Sequence, residues 1–592
     1  MVVMASTATL TAGTLGSASA APRSTPAASH AITASASRTA PAHVVAVASA
    51  AAHTHATATG VGPHDTLKAT EALVDPDGKK HVHFVRTHRG LPVLGADLIV
   101  HLDAHDKYLG VTRATTRAID LASTTPKKSA AAARTAAAKA GKGTAGKAKL
   151  VVSALAGHAP ALAYQVRVTG SSTAEGTGAR TVVVDARTGT VLSNTPLSDP
   201  FLSPGTLAKL RKRHAGSSVA STAPRREAAA PLPGLAAKAA ASGTAATGYS
   251  LYDGTVSLTA TPYTYQGTQY YILKDPNRGN TEVRDADNQQ TENFDDGYLA
   301  ASTSTAFGNG ATSDRNTAAV DAMYGITNTF DFYKSTFGRN GIANDGNGAH
   351  GMVHFGNKVG NAFWDPDCDC MLYGDGDGST FKKPLVVLDV TGHELTHGVV
   401  GATANLQPTR VDSQGNQYGE PGALNESLAD IFGTGVEFAT NNAKNPPNYL
   451  MGEKLGLSQG FLRRMDQPSQ DRLEGTIDYW SPSVTNTEVH AGSGVSSHAF
   501  YLLAEGSGRK TIGGVSYNSP TYDGGSVTGI GRAKALNIFY YALTRYMVST
   551  TSFHGARTAT LNAAKDLYGA NSTEYRTVDR AWAAVNVTAS NG

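Results

Sequence analysis

Cysteine is nearly absent: the 592 residues hold two, Cys368 and Cys370. Two are too few for a disulfide framework, and one intervening residue is too short a spacing for a zinc ribbon. Thiol catalysis is not expected either, since the nucleophile would need a base of its own. No run of about 18 apolar residues occurs, so no membrane-spanning helix is expected. Charged residues are scarce at 17%. The basic ones nowhere cluster with aromatics, which argues against nucleic acid as a partner.

What is present is length and apolar content. At roughly 150 residues per domain the chain is long enough for several, and 40% hydrophobic residues can bury a sizeable core. The net charge of +4 conceals a division. Residues 1–245 carry 27 Lys+Arg against 12 Asp+Glu, or +15; residues 246–592 carry the other 24 against 35, or −11, and the two sum to +4. Two readings stand: a basic pro-region drawn to an acidic enzyme, or a lysine-bearing, poorly structured linker. The opening stretch "MVVMASTATLTAGTLGSASAAP" ends in Ala18-Ser19-Ala20, which suits signal-peptide cleavage before Ala21. Its apolar core is weak and its basic start is missing, so residues 1–20 read either as a secretion signal shortened at its start or as an alanine-rich tail.

Alternating apolar positions in "HVHFVRTHRGLPVLGADLIVHLD" predict paired strands within residues 65–125. Residues 126–149 are rich in Ala and Lys, a helix or a solvated linker. "LAYQVRV" and "TVVVDARTGTVL" predict a second strand pair. Residues 198–245, rich in Ala, Arg and Pro, read as an exposed linker open to proteolysis. The pattern then turns β-rich over 246–387, with a helix near 314–335. It is mainly helical over 388–592, with helices at 388–403, 423–440, 494–505, 531–549 and 557–568. The expected fold class is α+β, with a cleft between a β-rich and an α-rich lobe.

At the start of the helical lobe stands "TGHELTHG" (391–398). Residues four apart share a helix face, so His393 and His397 point the same way and can hold one zinc ion. Glu394, rotated round the helix, can reach a water on that metal. Downstream, "GALNESLADIFG" (422–433) places Glu426 and Asp430 four apart on a second helix. One carboxylate there can bind zinc while the other accepts the spare ring N–H of a liganding histidine.

With these two stretches, "NAFW" (361–364), "YGDGDG" (373–378), "LRRM" (462–465) and "VHAGSGV" (489–495) follow one another in a fixed order. The chain from about 246 to 592 resembles the thermolysin family of secreted zinc metalloendopeptidases. The front resembles the family's propeptide: "THRGLPVLGADLIVHL" is similar to the fungalysin/thermolysin type over 65–125, and residues 148–197 are similar to a PepSY module. The resemblance implies a signal (1–20), a propeptide (21–245), a β-rich catalytic lobe (246–387) and an α-helical one (388–592).

It further implies that His393, His397 and Glu426 hold zinc, with Asp430 behind a ligand and Glu394 as general base. His490 matches the family's oxyanion donor, but the aspartate that orients it, five residues earlier, is Thr485 here. Glu488 is close in sequence, though along a strand two residues would carry it past the ring, so what orients His490 stays open. Tyr418 is the nearest candidate for a second oxyanion donor. Asn361 and Ala362 match the edge strand that binds substrate backbone, and Arg463 the arginine that binds a substrate carbonyl. Phe381, Val390, Met451 and Leu462 would line an apolar pocket for the residue after the scissile bond. Asp389, Glu437, Asn448 and Glu453 are calcium candidates for one site at most, while Asp375 and Asp377 read as a Gly/Asp turn.

The expectation is therefore a secreted, monomeric proenzyme that cuts proteins or peptides before bulky hydrophobic residues, with its own propeptide as inhibitor. Secretion also favours a Cys368–Cys370 disulfide. The alternatives are a catalytically weak or inactive peptide-binding relative, or a zinc aminopeptidase. The chain lacks the Gly-x-Met-Glu-Asn strand of the latter.

Overall fold

The computed structural model describes residues 38–39, 41–171, 178–213, 242–291 and 293–592. The signal-like residues 1–20 lie outside them. Helix α1 (Ala42–Thr54) precedes strands β1 (Asp65–Val74), β2 (Lys80–His88), β3 (Leu91–Leu94), β4 (Leu98–Leu102) and β5 (Tyr108–Arg113). Arg89 and Gly90, both at positive φ, close the β2–β3 hairpin in two residues, the turn geometry that matches strand twist. The ambiguous stretch 126–149 divides into helix α2 (Ala130–Gly141) and the start of β6 (Thr144–Ser153). Strands β7 (Ala161–Thr169), β8 (Ala179–Asp185) and β9 (Val191–Pro196) continue antiparallel to it. The parallel pairs Val93↔Val152 and Leu94↔Ser153 join both halves into one sheet.

A two-residue strand β10 (Asp199–Pro200) and helix α3 (Pro204–Arg213) come next. Here the expectation of an exposed linker over 198–245 is corrected. Phe201 and Leu202 are wholly buried, and Leu207 and Leu210 nearly so. Their cover comes from the C-terminal half of the chain, which local composition cannot reveal. The rest of that linker, 214–241, lies outside the described residues.

Strands β11 (Thr244–Tyr249), β12 (Thr255–Tyr265) and β13 (Thr268–Ile272) form one sheet; β14 (Thr281–Asp285), β15 (His350–Val353), β16 (Ala362–Asp365) and β17 (Cys370–Tyr373) belong to another. Strand β10 adds itself to the second sheet beside β16, antiparallel, with Asp199↔Trp364 and Pro200↔Phe363. Cys368 and Cys370 are disulfide-bonded.

Helix α4 (Arg315–Phe337) lies against these strands, and α5 (Leu388–Ala402), α6 (Glu420–Thr440), α7 (Gly494–Ala504), α8 (Arg532–Arg545), α9 (Phe553–Tyr568) and α10 (Thr573–Ala583) follow. Helix α6 begins before the expected 423 because Pro421 sits in its first turn, where a missing N–H costs nothing. Helix α10 lies beyond the expected helices; Ser572 caps it by accepting from Tyr575 N at 3.0 Å. Among the described residues no helix is long and apolar enough to cross a membrane.

Two glycines set the spacing of the central helices. A Cβ on Gly433 would lie 2.8 Å from both Asp389 O and His393 N, and one on Gly392 would lie 3.0 Å from Gly433 Cα. Helices α5 and α6 therefore touch backbone to backbone, which brings Glu426 and Asp430 up to His393.

The front sheet packs on α8 through a buried layer of histidines. His81 Nε2 is 2.9 Å from Asp75 Oδ2, which also accepts from the Tyr541 hydroxyl, while Asp75 Oδ1 is 3.2 Å from Arg545 Nε. His81 Nδ1 meets His101 Nδ1 at 2.8 Å, and His83 Nε2 reaches Thr544 O at 2.9 Å. Tyr546 stands edge-on to His81 and tilted against His101, with its hydroxyl on Asp566.

Candidate active site

The α5–α6 contact assembles one cluster. Ligand atoms of His393, His397 and Glu426 all lie within 4.8 Å of one another, and all three residues are buried. His393 Nδ1 is 2.8 Å from Asp430 Oδ1, and His397 Nδ1 is 3.0 Å from Asn425 Oδ1. Each ring thus gives its Nδ1 proton to an oxygen and turns a lone pair on Nε2 into the cluster, where the two Nε2 atoms are 3.1 Å apart. Two lone pairs so close repel unless a cation sits between them. Glu426 Oε2 and Glu394 Oε1 face the same space, buried and without a hydrogen-bond partner among the described residues. Two imidazoles and one carboxylate are the protein donor set of a catalytic zinc site, so the residues fit that ion.

Glu394 accepts from Trp364 N at 2.9 Å through Oε2. Burial pushes its carboxyl well above the usual range, and Glu426 adds to this while His393 opposes it. Asp430 also takes a bidentate pair from Arg463, Nε at 2.9 Å and Nη2 at 2.8 Å, while Arg463 Nη1 reaches Glu474 at 2.8 Å. Arg463 thus braces the carboxylate that holds His393.

Residues 488–490 begin a helical turn, not a strand, so Glu488 folds back with its oxygens 3.0 and 3.1 Å from His490 Nδ1. Thr485 instead bonds Pro482 O at 3.3 Å. Burial works against charge on His490, but Glu426 and Glu488 outweigh it and raise its pKa well above the ordinary imidazole value. It stands 3.5 Å from Glu426 through Nε2.

Tyr418 is corrected. Its hydroxyl donates to Asp412 at 3.0 Å and Arg410 covers its ring, so the side chain is committed away from the metal cluster. Its backbone bridges Glu488 instead. Asn448 is corrected too: its Oδ1 accepts from Leu450 N and its Nδ2 donates to Glu453, so it turns an N–H donor rather than an oxygen toward that carboxylate. Asp389, Glu437 and Glu453 do come together. Burial and Glu453 push Asp389 up to about 8, and Glu437 Oε1 and Glu453 Oε2 have no donor among the described residues. Asp377 makes the expected turn, accepting from Ser379, Thr380 and Phe381 N.

Phe381, Val390, Met451 and Leu462 are all buried in one apolar cluster. Asn361, just before β16, and Ala362, its first residue, hydrogen-bond to Leu202 and Phe201, the residues that follow β10. Asn425, Glu474 and the Trp364 N–H were not anticipated. Asn425 had a signal, being the residue before Glu426 in the same helical turn, whereas Glu474 had none.

Residues 245–401 match the family model described as thermolysin metallopeptidase, catalytic domain, and 416–587 match its alpha-helical domain. The chain belongs to the thermolysin metallopeptidase family. Residues 65–115 match the fungalysin/thermolysin propeptide motif. A transglutaminase-activating metalloprotease of Streptomyces mobaraensis is 38% identical over 89% of this chain and 62% of its own length. Bacillolysin of Bacillus cereus is 39% identical over 58% of this chain and 54% of its own, and thermolysin of Alicyclobacillus acidocaldarius 40% over 46% and 45%. The chain thus spans less than two thirds of the length of these thermolysin-family relatives.

Proposed function

We propose that the protein is a secreted zinc endopeptidase made as a proenzyme, which hydrolyses peptide bonds on the N-terminal side of bulky hydrophobic residues. The observation that carries this reading is the cluster of His393, His397 and Glu426 with Glu394 beside it. Zinc held by those three ligands supplies a Lewis acid for the substrate carbonyl and an acidified water. Glu394 accepts a proton from the attacking water at its unpartnered Oε1 and hands it to the leaving nitrogen. His490, charged and braced by Glu488, donates from Nε2 to the oxygen where negative charge develops. Asn361 and Ala362 align the substrate backbone as an added strand. The test is hydrolysis of casein or a quenched peptide by the matured protein, with and without a zinc chelator; activity that survives zinc removal sinks the reading.

One observation favours a low-turnover, peptide-binding relative: Tyr418 gives no second oxyanion donor. The same assay separates the two, since that relative would bind peptide without cutting it.

A peptide library should show Leu, Phe, Ile or Val after the cut, because Phe381, Val390, Met451 and Leu462 offer no partner for a charge. Preference for a charged residue there would refute the pocket. Asp389, Glu437 and Glu453 are proposed to hold one calcium ion, whose charge relieves three crowded carboxylates. Added calcium should then raise the melting midpoint, by about 2.7 kcal/mol of stability at a hundredfold excess over Kd. No shift, or the same shift in Glu437→Gln, would count against that site.

The front region, residues 21–245, is proposed to act as an intramolecular inhibitor that is cut away within 200–248. Its histidine layer predicts a pH dependence. Burial depresses His83 and His101, the latter well below its usual value with help from His81; Asp75, Glu71, Arg545, Tyr541, Tyr546 and Asp566 also face this layer. Burial in the docked layer therefore favours the neutral form of both rings. Docking is thus fully supported above about pH 6.5 and weakens as pH falls below it, by at most about 2 kcal/mol per ring at pH 5. Co-elution of cleaved front region with the rest of the protein should decline from pH 7.5 to pH 5; equal retention would exclude the layer as a sensor.

A further inference from the structure

The segment Asp199–Leu202 lies in the cleft as a peptide substrate would. Pro200 O accepts from His490 Nε2 at 3.0 Å. Phe201 N donates to Ala362 O at 3.0 Å. Leu202 is clamped from both sides by Asn361, with its N–H 3.0 Å from Oδ1 and its carbonyl 3.2 Å from Nδ2. The Phe201 ring stands edge-on to His393 at 5.3 Å and under the Arg463 guanidinium at 5.2 Å. It belongs to the same buried apolar cluster as Phe381, Val390, Met451 and Leu462. One peptide bond therefore lies between the oxyanion donor and the apolar pocket.

We propose that the Pro200–Phe201 bond is the first bond the enzyme cuts in its own chain, within one molecule. This rests on the reading of the site as a zinc peptidase. Register leaves little choice: a shift by one residue would put Pro200 or Leu202 at the pocket and turn Phe201 to the opposite face of the strand. In the reaction, the oxygen of one water bonds to the Pro200 carbonyl carbon. The C–N bond breaks with its electron pair going to the Phe201 nitrogen, which takes a proton by way of Glu394. The products are a Pro200 carboxylate and a Phe201 amine, with water as the only reactant consumed. Pro200 has no N–H to offer β16, so the hold comes from Asp199, paired with Trp364, and from Phe201 and Leu202. Cutting here leaves residues 201–245 on the catalytic region, and their later trimming is a separate event.

Intact-mass and terminal sequencing of purified full-length protein over time would test this. The first new termini should be Pro200 and Phe201, appearing at a rate unchanged by dilution, and Glu394→Gln should yield neither. Phe201→Asp should slow this cut by at least about tenfold, since a carboxylate would enter an apolar pocket, while Phe201→Leu should cut normally. A first cut elsewhere, a rate that falls on dilution, or a Phe201→Asp chain that matures as fast as wild type would overturn the inference. Casein hydrolysis with the Pro200–Phe201 bond intact would overturn it and leave the proposed function standing. Absence of any zinc-dependent hydrolysis would overturn both.

Discussion

Replacing Glu394 by Gln is expected to lower kcat/KM on a quenched peptide by about 10²–10⁴-fold, the usual worth of a positioned general base. The change is nearly isosteric, and the Gln carbonyl oxygen can still accept from Trp364 N, as Glu394 Oε2 does at 2.9 Å. What is lost is the ability of Oε1 to hold a proton between water and leaving nitrogen. Glu394 is not among the three residues placed to hold a metal, so zinc content should be unchanged. That combination, zinc kept and turnover lost, separates a base from a ligand. A variant retaining more than about a tenth of wild-type activity would refute the role. In a pure preparation the same variant should also remain at full length.

The second large effect is expected from Glu426→Ala. Glu426 closes the cluster, 3.5 Å from His393 Nε2 and 3.8 Å from His397 Nε2 through its two oxygens. Without it two neutral imidazoles remain, and zinc affinity should fall by more than about 100-fold, beyond what loss of an outer partner costs. Metal analysis after dialysis reads this directly, without reference to activity. Asp430→Asn should do less, since Asn can still accept from His393 Nδ1 while losing part of its hold on Arg463. If Glu426→Ala keeps its zinc through dialysis, the ligand set named here is wrong.

The legible parts of the site are those whose partners sit within a helical turn of one another. His393 with His397, and Glu426 with Asp430, are spaced four apart, so a helix alone puts each pair on one face. Glu488 was harder: the choice between strand and helical turn at 488–490 decides whether its carboxylate meets His490, and that choice is made by packing. Tyr418 misled because a count along the chain between α5 and α6 says nothing about where the hydroxyl turns. The linker reading of 198–213 failed for a related reason. Its four buried apolar residues look sparse among Ala, Arg and Pro, and their cover lies more than 150 residues away at Asn361 and Ala362 or beyond.

From its order of residues alone this protein declared a zinc-type helix pair, an apolar cleft, an α+β architecture and a front region apart from the rest, because each rests on short-range periodicity or composition. Tertiary structure alone decided which carboxylate steadies His490, that Asp199–Leu202 enters the cleft beside β16, and that His81 and His83 meet α8 with His101 against Tyr546 just beyond it. Those outcomes join segments distant in sequence, and their energies come from burial and hydrogen bonding that exist only once both surfaces are in place.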